Sequence, residues 1–249
     1  PHRRRQRMAH IELASPVAHI WFLKSVPSRV GLMLDVPVKK LDQVVYFAAY
    51  LITDVHDDFR KDALAALEDR FKQARTEMQK EFQGMLNEAK IAHEAGEMKS
   101  KAFNEMERDC TEKLDELDEE YRGMRDKLIS LESGMVISEL DYRLLAERFP
   151  QVFTGGTGGE AIKMLLDRID LGSLIQTLQK EIKTAPKSKE KKLLQKLRLA
   201  IDLFASNQHP RDFIMDALQI LPPDLRPMIQ LDGGRMASSD LNDLYRRVI

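Results

Sequence analysis

The chain has 249 residues, a formal net charge of -1, 43% hydrophobic residues and only 6% aromatic residues. This length supports one large domain or two modest ones, and the low aromatic content favours long helices over a β-sandwich. A nearly neutral chain has no global attraction to nucleic acid or to a membrane, so any nucleic-acid contact must come from local patches.

The single cysteine, Cys110, excludes an internal disulfide and a zinc site built from thiolates. No apolar run approaches the ~20 residues that cross a bilayer, and the apolar stretch after the basic N-terminus is too interrupted for a signal peptide. We therefore expect a cytoplasmic protein without a membrane segment. Because the chain starts at Pro1, we also expect it to be an excised piece of a longer protein.

The first zone, residues 1–54, mixes short apolar runs with turn signals. "MAHIELASPVAHIWFLK" predicts two strands separated by a turn at Ser15 and Pro16. "VPSRVGLMLDVP" predicts a short helix entered at Pro27, a residue tolerated at a first helical position. "VKKLDQVVYFAAYLIT" starts as a helix and ends in β-prone residues.

The second zone, residues 55–134, has a different texture. Its residues 57–130 contain no proline and are densely charged with both signs. Apolar residues recur at steps of three and four in two runs, which places each run on one helical face. The first run is Leu64, Leu67, Phe71, Ala74, Met78, Phe82, Met85 and Ala89, and the second is Phe103, Met106, Cys110, Leu114, Leu117, Tyr121, Met124 and Leu128.

Gly96 lies between the two runs, so we predict an antiparallel helical hairpin, or coiled coil, that buries one run against the other. The alternative is one continuous helix in a parallel dimer. Gly84 and Gly96 argue against it, because each glycine costs a helix ~1 kcal/mol relative to alanine. Cys110 belongs to the second run and is expected to be a small buried apolar residue.

The third zone, residues 135–249, reads as helices broken by "TGGTGGE", "KTAPKSKE", "NQHP" and "LPPDLRP". In the glycine run, Glu160 stands where a phosphate would bind, so a flexible helix entry is favoured over a phosphate loop. The zone ends in a glycine turn and a helix whose start is marked by Ser238, Ser239 and Asp240. The fold class predicted for the whole chain is mainly α with minor β, an α+β protein.

The sequence contains few motifs that indicate catalysis or metal binding. The six histidines show no paired ligand spacing, and the chain contains no phosphate loop, no nucleophile elbow and no D-x-D motif. An independent hydrolase is therefore a weak hypothesis. Two basic stretches remain: Arg3, Arg4, Arg5 and Arg7 could contact phosphate, and "KSKEKKLLQKLR" is either a solvated helix start or a nucleic-acid surface.

Both ends of the chain carry long, specific motifs. "RMAHIELASPVAHIWFLKSVPSRVGLMLD" and "LPPDLRPMIQLDGGRMASSDLNDLYRRVI" closely resemble the largest subunit, β′, of bacterial DNA-directed RNA polymerase. "VVYFAAYLIT" and "GGEAIKMLL" look more loosely like the clamp segment of that family. The hairpin zone resembles the lineage insertion of actinobacterial β′ subunits.

This resemblance implies an organisation for the chain. Residues 1–54 would be the N-terminal segment of the clamp core, and residues 55–134 the inserted hairpin. Residues 135–249 would be a helical clamp segment that ends in the lid loop and the start of the clamp coiled coil. In the family the lid helps to peel the transcript from the template, which would make Asp232, Gly233, Gly234, Arg235 and Met236 nucleic-acid-binding residues.

The physical character of these residues suits a lid. The two glycines allow close approach to a ligand, Arg235 offers a cation to phosphate, and Met236 offers an apolar surface to a base pair. Pro222, Pro223 and Pro227 each fix a backbone torsion and would stiffen the footing. By residues alone, an ordinary left-handed turn before a helix is the competing interpretation.

The resemblance also implies what this segment lacks. The family's zinc ribbon would precede Pro1 and its Mg²⁺-binding aspartates would follow Ile249, so no catalytic residue and no metal site are expected here. The implied partners are the β, α and ω subunits, σ factor, template DNA and the RNA transcript, with the hairpin contacting a lineage-specific factor. The implied location is the cytoplasm, in association with the nucleoid. The alternative hypothesis is a free-standing coiled-coil interaction or scaffold protein.

Overall fold

The computed structural model describes residues 9–94 and 100–249. These residues are mainly helical with small antiparallel sheets, so the predicted α+β class is confirmed. They form two compact units. The first contains the described residues up to Leu51 together with Val136–Glu139 and Gly156–Ile249, and the second contains those of Ile52–Met135 together with Leu140–Gly155. Arg3, Arg4, Arg5, Arg7 and Gly96 lie outside the described residues.

The elements follow one another along the chain as strands β1 to β7 and helices α1 to α10. In order they are β1 (His10–Ala18), α1 (Ile20–Leu23), α2 (Arg29–Leu34), α3 (Val38–Val45), β2 (Ala49–Val55), α4 (Asp57–Glu94), α5 (Ser100–Ser130), β3 (Val136–Ser138), α6 (Glu139–Arg148), β4 (Phe153–Gly156), α7 (Gly158–Asp167), α8 (Leu171–Thr184), α9 (Lys187–Ala205), β5 (Ile214–Gln219), β6 (Met228–Gln230), β7 (Met236–Ser238) and α10 (Asp240–Val248). Strands pair as β1 with β5, as β3-β2-β4, and as β6 with β7.

The N-terminal prediction of two strands separated by a turn is wrong. A single strand, β1, pairs antiparallel with β5 from His10↔Gln219 to Ala18↔Ile214, and the register shifts between Glu12 and Val17. The turn signal therefore marks an irregularity within one strand, since β5 supplies hydrogen-bond partners on both sides of it. The following "IWFL" is helical, not extended, and the His19 side chain caps this short helix by accepting from the Trp21 N–H at 3.1 Å.

The next two predictions in this zone are confirmed, with one shifted boundary. Helix α2 begins at Arg29, after Pro27, because the Ser28 hydroxyl accepts from the Gly31 N–H at 3.1 Å and so caps the first turn. Helix α3 and strand β2 then follow in the predicted order.

The core of the first unit is built around α7. Ile162 and Leu166 of α7 are fully buried, as are Leu41 and Val44 of α3 and Val30 of α2. These side chains recur three or four residues apart within their helices, so each helix buries one face in the same cluster.

The glycine run "TGGTGGE" enters α7 as predicted, but close packing explains its glycines better than flexibility does. A Cβ on Gly158 would lie 2.8 Å from the Phe47 ring, and Gly158 has a φ of +76°. A Cβ on Gly159 would lie only 2.1 Å from the Pro16 carbonyl oxygen. Both glycines are buried, so this segment offers no open cradle to a phosphate.

The second unit contains the antiparallel hairpin of α4 and α5, as predicted. The Phe71 and Tyr121 rings stack at 4.1 Å, and the Arg75 guanidinium lies 3.4 Å from an Asp118 carboxylate oxygen. These contacts pair residues that rise along α4 with residues that fall along α5, which only an antiparallel arrangement allows. All sixteen residues of the two apolar runs are buried or half-buried, Cys110 among the buried ones.

Polar contacts hold the base of this hairpin within the second unit. Arg60 donates to the Leu131 carbonyl at 3.0 Å, and Lys127 pairs with Asp141 of α6 at 2.7 Å. Helix α4 continues through Gly84, where a Cβ would meet nothing within 4 Å. The helix is therefore not interrupted at this glycine.

Candidate nucleic-acid interface

The five residues that the sequence predicts as a lid meet at the end of a two-stranded hairpin. Strands β6 and β7 pair antiparallel with the register Met228↔Ser238, Ile229↔Ala237 and Gln230↔Met236. Residues 231–235 close the turn: the Leu231 N–H donates to the Arg235 carbonyl at 2.7 Å, and the Gly234 N–H donates to the Leu231 carbonyl at 3.2 Å.

The turn requires its two glycines. Gly233 has a φ of 87° and Gly234 a φ of 77°, a region that side-chain-bearing residues rarely adopt. A Cβ at either position would meet nothing within 4 Å, so the requirement comes from the backbone alone and not from packing.

The end of the hairpin is unusually apolar for an exposed element. Met228, Ile229, Leu231 and Met236 are 64%, 56%, 52% and 59% exposed. Asp232 and Arg235 are also exposed, and neither makes an ion pair with any residue in the described part of the chain. An apolar surface with one free cation can meet a base pair and a phosphate together.

Helix α10 holds the base of the hairpin through Asn242. Its amide oxygen accepts from Arg226 Nη1 at 2.8 Å, and its amide nitrogen donates to the Arg226 carbonyl at 3.2 Å and to Ser238 Oγ at 2.9 Å. Arg226 Nε donates to the Leu221 carbonyl at 2.7 Å. One side chain therefore contacts both the segment that enters β6 and the end of β7.

Tyr245 extends this network to β5. Its hydroxyl donates to the Gln219 carbonyl at 3.1 Å and accepts from the Leu221 N–H at 3.1 Å, and the Arg226 guanidinium lies 5.8 Å from its ring centre. Helix α10 is itself capped by Ser239, one of the three predicted cap residues, whose hydroxyl accepts from the Leu241 N–H at 3.4 Å.

Sequence reasoning missed this polar network. It assigned the footing to prolines, of which Pro222 and Pro223 begin a 3-10 turn at Pro223–Leu225. The available signal was Arg226, a cation next to Pro227, whose guanidinium donates hydrogen bonds to the Leu221 carbonyl and to Asn242.

The second basic stretch of the sequence forms the first twelve residues of α9, and two of its lysines make a tertiary contact. Lys196 is buried and hydrogen-bonds to Asp35, and Lys192 Nζ lies 3.0 Å from the other Asp35 carboxylate oxygen. Burial opposes ionisation of Asp35, but the hydrogen bonds from Lys196 and Lys192 outweigh it and hold the pKa of this carboxyl below its usual value of 3.8. These two lysines are thus committed to a tertiary contact.

Among residues 9–94 and 100–249, no three His, Cys, Asp or Glu side chains are grouped so that they could hold a metal ion. The helices of the same residues include none with the length and apolar character that crossing a membrane requires.

Comparison with known proteins decides the family. The family model described as RNA polymerase Rpb1, domain 1, matches residues 3–249. The chain belongs to this family. The match runs through the hairpin of α4 and α5 as well as through both flanking zones.

Individual relatives agree with this family. The chain is 39% identical over 264 residues to the DNA-directed RNA polymerase subunit beta' of Bifidobacterium longum (strain DJO10A), 40% identical over 247 residues to that of Dehalococcoides mccartyi (strain CBDB1), and 37% identical over 268 residues to that of Salinispora tropica. Each alignment covers 99% of this chain and 19% or 20% of the relative. The chain therefore spans about one fifth of the length of the curated relatives it matches, and the aligned part includes the hairpin.

Proposed function

We propose that this chain is the clamp and lid segment of a bacterial RNA polymerase β′ subunit, and that its lid separates the transcript from the template at the upstream end of the RNA–DNA hybrid. The observation that supports the proposal is the β6–β7 hairpin. It combines an exposed apolar end, a turn that contains two glycines, and a base held by hydrogen bonds.

Each part of the hairpin has a physical task in strand separation. A two-stranded ribbon is one strand spacing wide, about 5 Å, so it can enter where two nucleic-acid strands diverge. Met236 and Leu231 would cover the last base pair of the hybrid, and Arg235 would contact a passing phosphate. The hydrogen bonds of Asn242 and Tyr245 would hold the hairpin in position while the nucleic-acid strands move past it.

The same proposal covers the whole protein. It would act in transcription as part of a nucleotidyltransferase, together with the β, α and ω subunits, σ factor, DNA and RNA, in the cytoplasm at the nucleoid. The Mg and Zn that the family resemblance implies would bind outside this segment. Catalysis would likewise belong to other parts of the subunit.

We propose that residues 1–54, 55–134 and 135–249 form the clamp core segment, the inserted hairpin and the helical clamp segment with the lid. The hairpin would be a lineage insertion that offers its outer face to a lineage-specific factor. What supports this role is a self-contained apolar seam combined with charged outer faces, since the seam leaves the outer side chains free for a partner.

The decisive experiment uses the complete reconstituted polymerase. Residues 231–235 are replaced by a two-residue Asn-Gly turn, which keeps the β6–β7 register but shortens the end of the hairpin. We expect the transcript to remain annealed beyond the normal hybrid, so that ribonuclease H cuts RNA farther upstream. Gly84→Ala in the hairpin of α4 and α5 serves as a control that should leave the cleavage pattern unchanged. Normal strand separation by the shortened variant would refute the proposal.

The rival hypothesis is a free-standing coiled-coil interaction protein. It accounts for α4 and α5 but gives no reason for a family match that continues through residues on both sides of them. The lid proposal accounts for both.

A further inference from the structure

The second unit contains a groove that the proposed lid does not use. It lies beside the base of the α4–α5 hairpin, has a volume of about 740 Å³, and is lined only by residues of the second unit. One wall comes from α4, and the rest comes from α5 and from the turn between α6 and β4. Phe71, Tyr121 and Met124 contribute to the lining, which makes it largely apolar. An open apolar groove of this kind is typical of a contact site for another molecule.

The α4 wall of the groove consists of two neighbouring rows of residues. Residues four apart along a helix form a continuous ridge on its surface. The first row, called the apolar ridge below, is Phe59, Ala63, Leu67 and Phe71, and the second, called the charged ridge below, is Asp62, Ala66, Arg70 and Ala74. The charged ridge thus alternates charges with alanines and has one charge of each sign.

The two charges of this ridge have no partner. Four charged residues line the groove, and two of them, Glu120 and Arg148, pair with each other at 3.5 Å. Asp62 and Arg70 are exposed, and neither makes an ion pair with any residue in the described part of the chain. Eight residues of helix hold their Cα atoms about 12 Å apart, so they do not pair with each other. The groove therefore offers an anion and a cation at a fixed separation to an incoming molecule.

The positions of the two charges are symmetric about Ala66. Asp62 lies four residues before this exposed alanine, and Arg70 lies four residues after it. A second copy of α4 can pack in the opposite direction with its Ala66 against this Ala66. Asp62 of each copy then lies beside Arg70 of the other copy. The ridge is therefore complementary to itself under a two-fold rotation, which is the commonest symmetry of soluble oligomers.

Ordinary helix packing accommodates this arrangement. In the commonest class, ridges of residues four apart interdigitate and the helix axes cross at about 50°. The charged ridge of one copy then lies between the charged and the apolar ridges of the other. Ala66 at the crossing point allows a close approach, because its side chain ends at Cβ. Phe59, which is 48% exposed, would be covered by the contact. The two ion pairs would form beside this covered apolar surface, where water and salt screen them less.

A similar charge pattern farther along α4 lacks the apolar groove. Lys80 and Glu88 lie four residues on either side of Gly84, and neither charge makes an ion pair within the described residues. The ridge beside them begins with Glu77 and Glu81, so it is not apolar, and none of these five residues lines the groove. This segment provides a matched control for the charged ridge.

We propose that the groove of the second unit binds α4 of a second copy of this chain, in a two-fold symmetric contact with an Asp62–Arg70 ion pair on each side of Ala66. The apolar lining supplies the surface to be covered, and the symmetric charges identify the occupant. A helix of an unrelated protein would give no reason for opposite charges at equal distances from an alanine. The inference goes beyond the proposed function and does not depend on it.

The test measures self-association of the 249-residue chain by sedimentation equilibrium over a series of concentrations. We expect a weak, reversible dimer, since one groove and one helix face form a small interface. Asp62→Arg and Arg70→Asp each replace both ion pairs by like charges. Each variant should raise the dimer dissociation constant by at least about tenfold.

Two combinations should restore the dimer. An equimolar mixture of the Asp62→Arg and Arg70→Asp variants should associate, because each copy then faces charges opposite to its own. The double variant Asp62→Arg with Arg70→Asp should associate with itself for the same reason. Lys80→Glu and Glu88→Lys are the controls, with charge changes of the same size on the same helix, and both should dimerise as the parent chain does. Circular dichroism checks that every variant keeps its helices.

Several results would overturn the inference. They are no self-association of the parent chain at concentrations up to about 0.5 mM, an equal loss in the control variants, and a mixture or a double variant that stays monomeric. A dimer that neither Asp62→Arg nor Arg70→Asp weakens would place the contact elsewhere on the chain and would also refute it. The lid residues are intact in every variant, so this inference and the proposed lid function fail independently.

Discussion

Gly159 is the position where a single methyl group should damage the first unit most. It is buried at the start of α7, beside the backbone of β1. Alanine here would place its Cβ 2.1 Å from the Pro16 carbonyl oxygen and 2.8 Å from the Pro16 carbonyl carbon. Both neighbours are backbone atoms of a strand paired with β5, so neither can move aside by a rotamer change.

Two effects of Gly159→Ala oppose each other. Alanine favours the helix over glycine by up to ~1 kcal/mol. Restoring ordinary contact would require α7 and β1 to separate by roughly 1 Å, and overpacking of this kind typically costs about 1–3 kcal/mol, occasionally more. Because the obstacle is backbone, we expect the clash to dominate and the first unit to lose about 2 kcal/mol of unfolding free energy.

The assay is urea unfolding followed by the fluorescence of Trp21, the single tryptophan, which belongs to the first unit. Gly84→Ala and Gly123→Ala are matched controls, since a Cβ at either site meets nothing within 4 Å and both lie inside long helices. Each control should stabilise the second unit by about 0.5–1 kcal/mol, measured by circular dichroism. If Gly159→Ala unfolds at the same urea concentration as the parent chain, the packing argument fails.

Three further predictions concern other contacts. Phe71→Ala removes the ring stacked on Tyr121 and should lower the unfolding free energy of the second unit by about 2 kcal/mol in thermal unfolding, less than for a fully buried ring. Asp35→Asn should destabilise the first unit at neutral pH, and the difference should shrink as pH falls below 3.8, because a lowered carboxyl pKa stabilises only above the unfolded value and is lost in acid. Tyr245→Phe removes two hydrogen bonds and should accelerate hydrogen exchange of the Leu221 amide by up to about tenfold.

Each of these has its own control. Phe71→Leu keeps the apolar volume near the seam and should recover part of the loss. A pH-independent effect of Asp35→Asn would show that the carboxylate does not act through its ionised form. Unchanged exchange at Leu221 would mean that the Tyr245 hydroxyl does not hold the base of the β6–β7 hairpin.

The sequence by itself determined the hairpin of α4 and α5, because both helices are long, periodic and adjacent in the chain. The spacing of the apolar residues predicts which side chains are buried between the two helices. Phe71 of the first apolar run and Tyr121 of the second do stack on each other. The sequence also predicted the glycine requirement of the turn at Gly233 and Gly234, which is a property of the local backbone. The assignment of this turn as a lid came from the resemblance of the long motifs at the chain ends and stays a prediction.

The tertiary structure decided the contacts between distant parts of the chain. The spacing of apolar residues shows which face of a helix or strand is apolar, but it does not show which other element covers that face. The pairing of β1 with β5 and the close approach of Gly159 to Pro16 could therefore not be predicted from the local sequence. The same holds for the polar contacts. Asp35 and Lys196 lie 161 residues apart in the sequence, and their hydrogen bond forms on the buried face of the basic helix α9. Only the three-dimensional arrangement shows which lysines are already neutralised.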